Sequence, residues 1–88
     1  MIIANCFLVL ADEQATVESI ANQADTYVRI RTGEWIDEVF HPVHKKKHVY
    51  TVPDGYILCA CPDSKQSRVL YALKEWGIDY TLVSVKCL

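Results

Sequence analysis

The alternation of apolar and polar positions is most regular over the last third of the chain. An uncharged apolar run from Tyr56 to Cys61 predicts a strand covered on both faces, and Pro62 ends it. One helical stripe then recurs at i, i+3, i+4 and i+7, formed by Val69, Ala72, Leu73 and Trp76. Gly77 predicts the end of this helix, and residues 78–85 predict another strand. The segment therefore predicts a strand–helix–strand unit with parallel strands.

Polar residues at the start of this helix suit an N-terminal cap. Asp63 or Ser64 can accept a hydrogen bond from a free backbone N–H group of the first turn. Gln66 lies three positions after Asp63, which is the spacing of a capping box. In the final strand, alternation predicts one face with Tyr80 and Leu82 and an opposite face with Val83 and Val85.

The first forty residues predict four further elements. Residues 2–10 predict a buried strand, and Asp12 is placed to cap the helix after it. That helix has one apolar face, made of Val17, Ile20, Ala21 and Ala24. Residues 27–31 alternate as a strand, the Thr32-Gly33 pair predicts a turn, and residues 34–40 predict the returning strand of a hairpin.

The middle of the chain predicts a polar loop and a second hairpin. Residues 41–48 are rich in histidine and lysine and predict a loop or a charged hairpin tip, and residues 49–52 predict a short strand. Proline and glycine in residues 52–55 predict a turn that pairs this strand with the one from Tyr56. The order β-α-β-β-β-β-α-β predicts a single α+β domain over residues 1–88. We expect one sheet of five to six strands with two helices on one face, as in the ferredoxin-like class.

Charge and cysteine usage narrow the function classes. The 11 acidic and 9 basic residues give a net charge of −2, which argues against a dedicated nucleic-acid-binding protein because such proteins present a basic face. The apolar runs are too short to span a bilayer, so we expect no membrane association. The four cysteines lie in a chain with enough apolar residues for a core, so we expect reduced thiols and a cytoplasmic protein.

Cys61 is the first candidate for chemistry. It ends a predicted strand just before a helix N-terminus, where the helix dipole lowers the pKa of a thiol and favours the reactive thiolate. The opposing interpretation, a small buried side chain at the end of a core strand, is the one we favour.

The segment from residue 68 to residue 83, with Cys61-Pro62 before it, resembles the first strand–helix–strand unit of glutaredoxins and glutathione-transferase N-terminal domains. This resemblance covers about a third of the chain. It implies a thiol–disulfide activity that uses Cys61. The same helix–glycine–strand phrase also resembles regulatory domains of ferredoxin-like fold that bind small molecules, which leaves a ligand-binding module open as a further alternative.

Histidine and lysine side chains suggest two other sites, and each has a simpler interpretation. His41, His44 and His48 together with the Cys59-x-Cys61 pair could ligate zinc, but neighbouring lysines oppose cation binding, so we predict no metal and no cofactor. Lys45, Lys46 and Lys47 could contact a phosphate or an acidic partner, but a solvated hairpin tip is the interpretation we favour.

The absence of a recognisable catalytic set favours a protein that acts by binding. We expect a small non-enzymatic protein that binds a protein partner, plausibly a phage-type inhibitor of a nucleic-acid-handling enzyme, with a homodimer as a further possibility. Aromatic side chains with an acidic rim predict the contact surface. The predicted partner-binding residues are Glu34, Trp35, Asp37, Glu38 and Phe40.

Overall fold

The computed structural model describes residues 3–40 and 45–86, with side chains over residues 5–34 and 50–85. Its strands are β1 (Ile3–Leu10), β2 (Arg29–Arg31), β3 (Glu34–Phe40), β4 (Lys45–Thr51), β5 (Tyr56–Ala60) and β6 (Thr81–Lys86). Its helices are α1 (Gln14–Gln23), which follows a 3₁₀ turn at Ala11–Glu13, and α2 (Asp63–Glu75). The α+β class expected from the sequence is confirmed.

The described strands form two sheets rather than the single sheet of five to six strands that the sequence predicted. Four strands lie in the antiparallel order β2-β5-β1-β6, and β3 pairs with β4 in a separate ladder. The hairpins predicted between β2 and β3 and between β4 and β5 are therefore wrong. Because β5 is hydrogen-bonded to β1 on one side and to β2 on the other, it has no edge left for β4. The charged residues 45–48, predicted as loop, lie in β4 and pair with residues 37–40.

The parallel direction predicted for the two strands joined by α2 is confirmed, and the two strands are not neighbours in the sheet. Both β5 and β6 run antiparallel to β1, so they run parallel to each other, yet β1 lies between them. Strand direction follows from the length of the connection, whereas the insertion of β1 depends on a strand far away in sequence.

Both helices cover the same face of the four-stranded sheet. The core on this side contains Phe7 and Val9 from β1, with Ile57 and Cys59 from β5. Helix α1 contributes the predicted residues Val17, Ile20 and Ala21, and α2 contributes Val69 and Leu73. The Tyr80 ring meets the Phe7 ring edge to face, with the centroids 6.5 Å apart.

The opposite face of the sheet is covered by the base of the β3–β4 hairpin. Cys6, Leu8, Leu58 and Val85 form a second buried cluster with Val52, and half-buried Tyr50 packs against it. Coverage on both faces explains why β1 and β5 read as uncharged runs.

The N-terminus of α2 differs from the prediction, whereas its C-terminus agrees with it. Pro62 is the N-cap and no side chain caps the first turn, so the predicted caps by Asp63 or Ser64 are wrong. Gln66 reaches back two residues further than a capping box, and its Oε1 accepts a hydrogen bond from the Cys61 N–H at 3.3 Å.

Gly77 closes α2 in the left-handed conformation, with φ of +74°. Its N–H donates to the Lys74 carbonyl, and the Ile78 N–H donates to the Leu73 carbonyl, which is the Schellman pattern. Trp76 lies past the last helical residue and is 61% exposed, so its predicted place in the apolar stripe is wrong. Asp12 lies within the 3₁₀ turn and makes no cap for α1.

Candidate functional site

The β3–β4 hairpin brings together two groups of residues that the sequence treated as separate sites. The register sets Glu38 opposite Lys47, Asp37 opposite His48 and Phe40 opposite Lys45. Trp35 lies opposite Tyr50, and Glu34 lies opposite Thr51. The predicted partner-binding strand and the lysine run are thus the two strands of one ladder.

This pairing changes the electrostatic expectation for the hairpin. With neutral histidines, the three acidic residues of β3 are balanced by the three lysines of β4, so the ladder carries no net charge. A neutral ladder with ordered charges has a weak long-range field, so it selects a partner by the pattern of its contacts more than by electrostatic steering. The expected acidic rim is therefore one half of a mixed surface.

The base of the hairpin is fixed to the rest of the protein by packing and by the backbone. Val52 is buried at 4% exposure in the second cluster, and its N–H donates to the Gly33 carbonyl at 2.7 Å. After Val52 a turn is present one residue later than predicted: the Tyr56 N–H donates to the Pro53 carbonyl, so the turn spans residues 53–56 and not residues 52–55. The position of the base of the hairpin relative to the four-stranded sheet is therefore well defined.

Cys61 lies inside the core and not at an exposed helix terminus. It is 7% exposed, and Cys59 is fully buried in the same cluster. Burial raises the pKa of Cys61 from 9.0 to about 11, so the lowering expected from the helix dipole is not found. Burial, and to a lesser degree the neighbouring Cys61 thiol, raises the pKa of Cys59 to about 12. Both groups are thiols at neutral pH and are poor nucleophiles.

A small cleft of about 310 Å³ lies beside Cys61, lined by Tyr27, Arg29, Pro62 and Asp63 among others. Metal-ligating side chains do not converge here: across the described part of the chain, no group of three His, Cys, Asp or Glu residues could hold a metal ion. His41 and His44 lie outside the described residues, and so does the side chain of His48.

A larger cleft of about 490 Å³ lies between α2 and β6, and the sequence did not indicate it. Gln66 lines it at only 8% exposure, whereas Leu82 lines it at 64% exposure. The other lining side chains include Asn5, Asp63, Ser67, Leu70 and Ser84. Two features of the sequence are compatible with this cleft without identifying it: a polar residue within a helix that packs on the sheet, and an apolar residue on the final strand. A helix cap is the ordinary interpretation of Gln66, and a core position is the ordinary interpretation of Leu82.

None of the helices in the described residues is both long and apolar enough to cross a membrane. In comparisons with known proteins, no protein family, no curated protein and no solved structure matches this chain.

Proposed function

We propose that the chain is a small non-enzymatic protein that binds a protein partner through the β3–β4 hairpin. The observation that carries this proposal is the register, which gathers the predicted partner-binding residues and the lysine run into one two-stranded ladder. This ladder is hydrogen-bonded to no other strand among the described residues. Its edges are therefore available for contact with another molecule.

The composition of the ladder suits a protein contact. Trp35 and Tyr50 hold directly opposed positions, and both residue types are enriched in the energetic centres of interfaces. Next to them, Asp37 and Glu38 face His48 and Lys47 across the ladder. Charges of both signs around aromatic positions give specificity by opposing wrongly charged partners.

The buried thiols argue against the alternative of thiol–disulfide chemistry. A glutaredoxin-like activity requires a thiolate that a substrate can reach. Cys61 is 7% exposed and burial raises its pKa to about 11, so the thiol form predominates at neutral pH. Binding without chemistry is the function that the described side chains support better.

In its narrower form, the proposal makes the partner a nucleic-acid-handling enzyme that the protein inhibits, as phage-encoded inhibitors do. The adjacent carboxylates of Asp37 and Glu38 support this form, because acidic groups can occupy a basic surface that otherwise holds phosphates. It predicts that duplex DNA competes with the protein for its partner. We expect DNA to compete with the protein at low salt. We expect this competition to be lost when both carboxylates are replaced.

We also propose that the body has the ferredoxin-like order, with the hairpin inserted between its second and third strands. The strand order β2-β5-β1-β6 and the two helices on one face support this assignment. A cytoplasmic location belongs to the same proposal, and the free buried thiols Cys59 and Cys61 support it.

Charge reversal in β3 tests the hairpin proposal. Asp37→Lys/Glu38→Lys is expected to reduce capture of the partner from a bacterial lysate by about tenfold or more, because the contact pattern is inverted on one strand. Capture is measured by quantitative mass spectrometry on immobilised wild-type and variant proteins. Unchanged capture by the double variant overturns the hairpin proposal.

A charge swap separates loss of binding from loss of folding. Glu38→Lys/Lys47→Glu keeps opposite charges at the paired positions but exchanges their strands. We expect this variant to unfold at the same denaturant concentration as the wild type while it captures less partner. Wild-type capture by the swapped protein shows that the arrangement of these charges is not what the partner recognises.

A further inference from the structure

The cleft between α2 and β6 contains a buried hydrogen-bond donor for which the described residues provide no acceptor. The Gln66 side chain is 8% exposed, and its Oε1 accepts from the Cys61 N–H at 3.3 Å. Because a backbone N–H can only donate, the oxygen of the Gln66 side-chain amide must face Cys61. The NH₂ group of the same amide therefore points away from the Cys61 N–H. Within the described residues, that nitrogen has no hydrogen-bond acceptor. An acceptor from another molecule would satisfy it.

The lining of the cleft defines the chemistry of such a molecule. Leu70 and Leu82 provide apolar walls, while Asn5, Ser67 and Ser84 provide exposed polar groups at the rim. Asp63 is the one charged side chain in this lining. The ligand is therefore neutral or basic, partly apolar, and carries a hydrogen-bond acceptor for Gln66. A phosphate or another anion is disfavoured because no lining residue is cationic.

The position of the cleft favours an extended segment. The cleft lies along β6. This strand is at one edge of the four-stranded sheet and is hydrogen-bonded to β1 alone among the described strands. A terminal strand directs alternate N–H and C=O groups away from its neighbour. The other end of the sheet, β2, is three residues long and carries Arg29 and Arg31, whereas residues 81–85 of β6 carry no charge. Charge thus extends over the whole of one terminal strand, whereas on the other it is confined to Lys86, the last residue of β6.

From these observations we propose that the cleft binds an extended peptide segment of a partner protein, neutral or basic in charge, lying along β6. A main-chain carbonyl of the segment accepts from the Gln66 amide nitrogen, and an apolar side chain contacts Leu70 and Leu82. Asp63 selects against acidic segments. Strand addition of this kind takes affinity from main-chain hydrogen bonds and specificity from side-chain pockets. The site is separate from the hairpin, and its test does not depend on the hairpin proposal.

Nuclear magnetic resonance on the isolated protein tests this site. The probe is the capped hexapeptide acetyl-Lys-Leu-Thr-Leu-Thr-Lys-amide, added to ¹⁵N-labelled protein up to about 5 mM, the range of weak peptide contacts. We expect saturable shifts of the Gln66 side-chain amide and of the backbone amides of residues 82–84. The matched acidic peptide, with Glu at both Lys positions, is expected to bind about tenfold more weakly.

Three substitutions connect the shifts to the cleft. Gln66→Met removes the donor and Leu82→Thr removes one apolar wall, and each is expected to weaken binding by about tenfold. Leu82→Thr alters an exposed side chain, so it remains informative if loss of the Cys61 hydrogen bond unfolds the Gln66 variant. Leu10→Thr changes an exposed leucine outside the cleft lining and is expected to bind the peptide like the wild type.

Several results overturn the proposal. Absence of shifts at Gln66 and β6 with the basic peptide removes the site. Equal affinity for the acidic peptide contradicts the role of Asp63. Shifts of the same residues on concentrating the protein alone assign the cleft to a second copy of the chain. Equally tight binding of acetyl-leucine amide makes it a small-molecule site and supports the ligand-binding module instead.

Discussion

The four-stranded body and the β3–β4 hairpin are stabilised in different ways. The body buries both faces of its sheet, one under α1 and α2 and the other under the hairpin base. The hairpin is a ladder of two strands, and such a ladder is marginally stable alone, so it depends on Tyr50 and Val52 at its base. Substitutions in the body therefore threaten folding, whereas among the described side chains of the hairpin region it is Tyr50 and Val52 that pack against the body.

The largest expected effect comes from opening a cavity in the body. Leu73 is fully buried between α2 and the sheet, and Leu73→Ala is expected to lower the free energy of unfolding by about 2–5 kcal/mol. Tyr71→Ala, two positions away on the same helix, removes a side chain that is 67% exposed and should cost less than about 0.5 kcal/mol. Urea denaturation measures both values. Similar losses for the two variants contradict the assignment of the core side of α2.

Raising the pH above 9 is expected to destabilise the body next most strongly. Burial raises the pKa of Cys61 to about 11 and that of Cys59 to about 12, against 9.0 for an ordinary thiol. The two protonated thiols contribute to the free energy of unfolding. This contribution is fully present below pH 9 and is lost as the pH rises from 9 towards the folded-state pKa values. At pH 10 the loss is on the order of 1 kcal/mol per thiol. Urea denaturation between pH 7 and pH 10 measures it.

The matched control for this pH effect removes Cys59 and Cys61 and leaves Cys6, whose pKa burial also raises. In Cys59→Ala/Cys61→Ala the decline between pH 9 and pH 10 should be much smaller than in the wild type, even though the double variant starts from lower stability. An equal decline in both proteins would assign the pH dependence to other groups.

A smaller loss is expected where α2 ends. Gly77 has φ of +74°, a conformation that costs a residue with a Cβ atom about 1 kcal/mol. A Cβ atom at this position meets no other atom within 4 Å, so the cost of Gly77→Ala is backbone strain without a clash. Thermal unfolding is the measurement, and Gly77→Asn is the comparison because asparagine tolerates this conformation better than alanine. Equal stability of the alanine and glycine proteins would show that the left-handed end is absent.

The smallest expected effect lies in the hairpin. Glu38→Lys places two lysines at directly opposed positions of the ladder and should cost about 0.2–1 kcal/mol. Adding Lys47→Glu restores opposite charges and should recover most of this loss. High salt should reduce the difference between the variants. If the single and double variants are equally stable at low salt, positions 38 and 47 do not pair.

Helices and buried faces could be predicted from the sequence because periodicity reports them locally. The buried residues Val17, Ile20 and Ala21 occupy the predicted face of α1, and Gly77 ends α2 as predicted. Strand partners could not be predicted in the same way, because a period of two identifies a strand and its faces without identifying its neighbour. The pairing of β4 with β3 depends on β5 being occupied by β1 and β2.

The candidate sites show the same division. The burial of Cys59 and Cys61 followed from the apolar run in which they lie, so the sequence supported inert thiols. The cleft did not follow, since Leu82 lies on the expected side of β6 and α2 leaves it uncovered. Whether a helix reaches the last strand of a sheet depends on packing geometry, which a hydrophobic pattern does not contain.

One side-by-side capture experiment tests most directly the claim that the body is a scaffold and the hairpin acts. The proteins are wild type, Glu38→Lys/Lys47→Glu and Cys59→Ala/Cys61→Ala, each immobilised at a temperature where all three are folded. We predict that the Cys59→Ala/Cys61→Ala protein captures the same partner as the wild type and that the charge-swapped protein captures at least about tenfold less. Capture that survives the hairpin swap and disappears when Cys59 and Cys61 are replaced would contradict the claim.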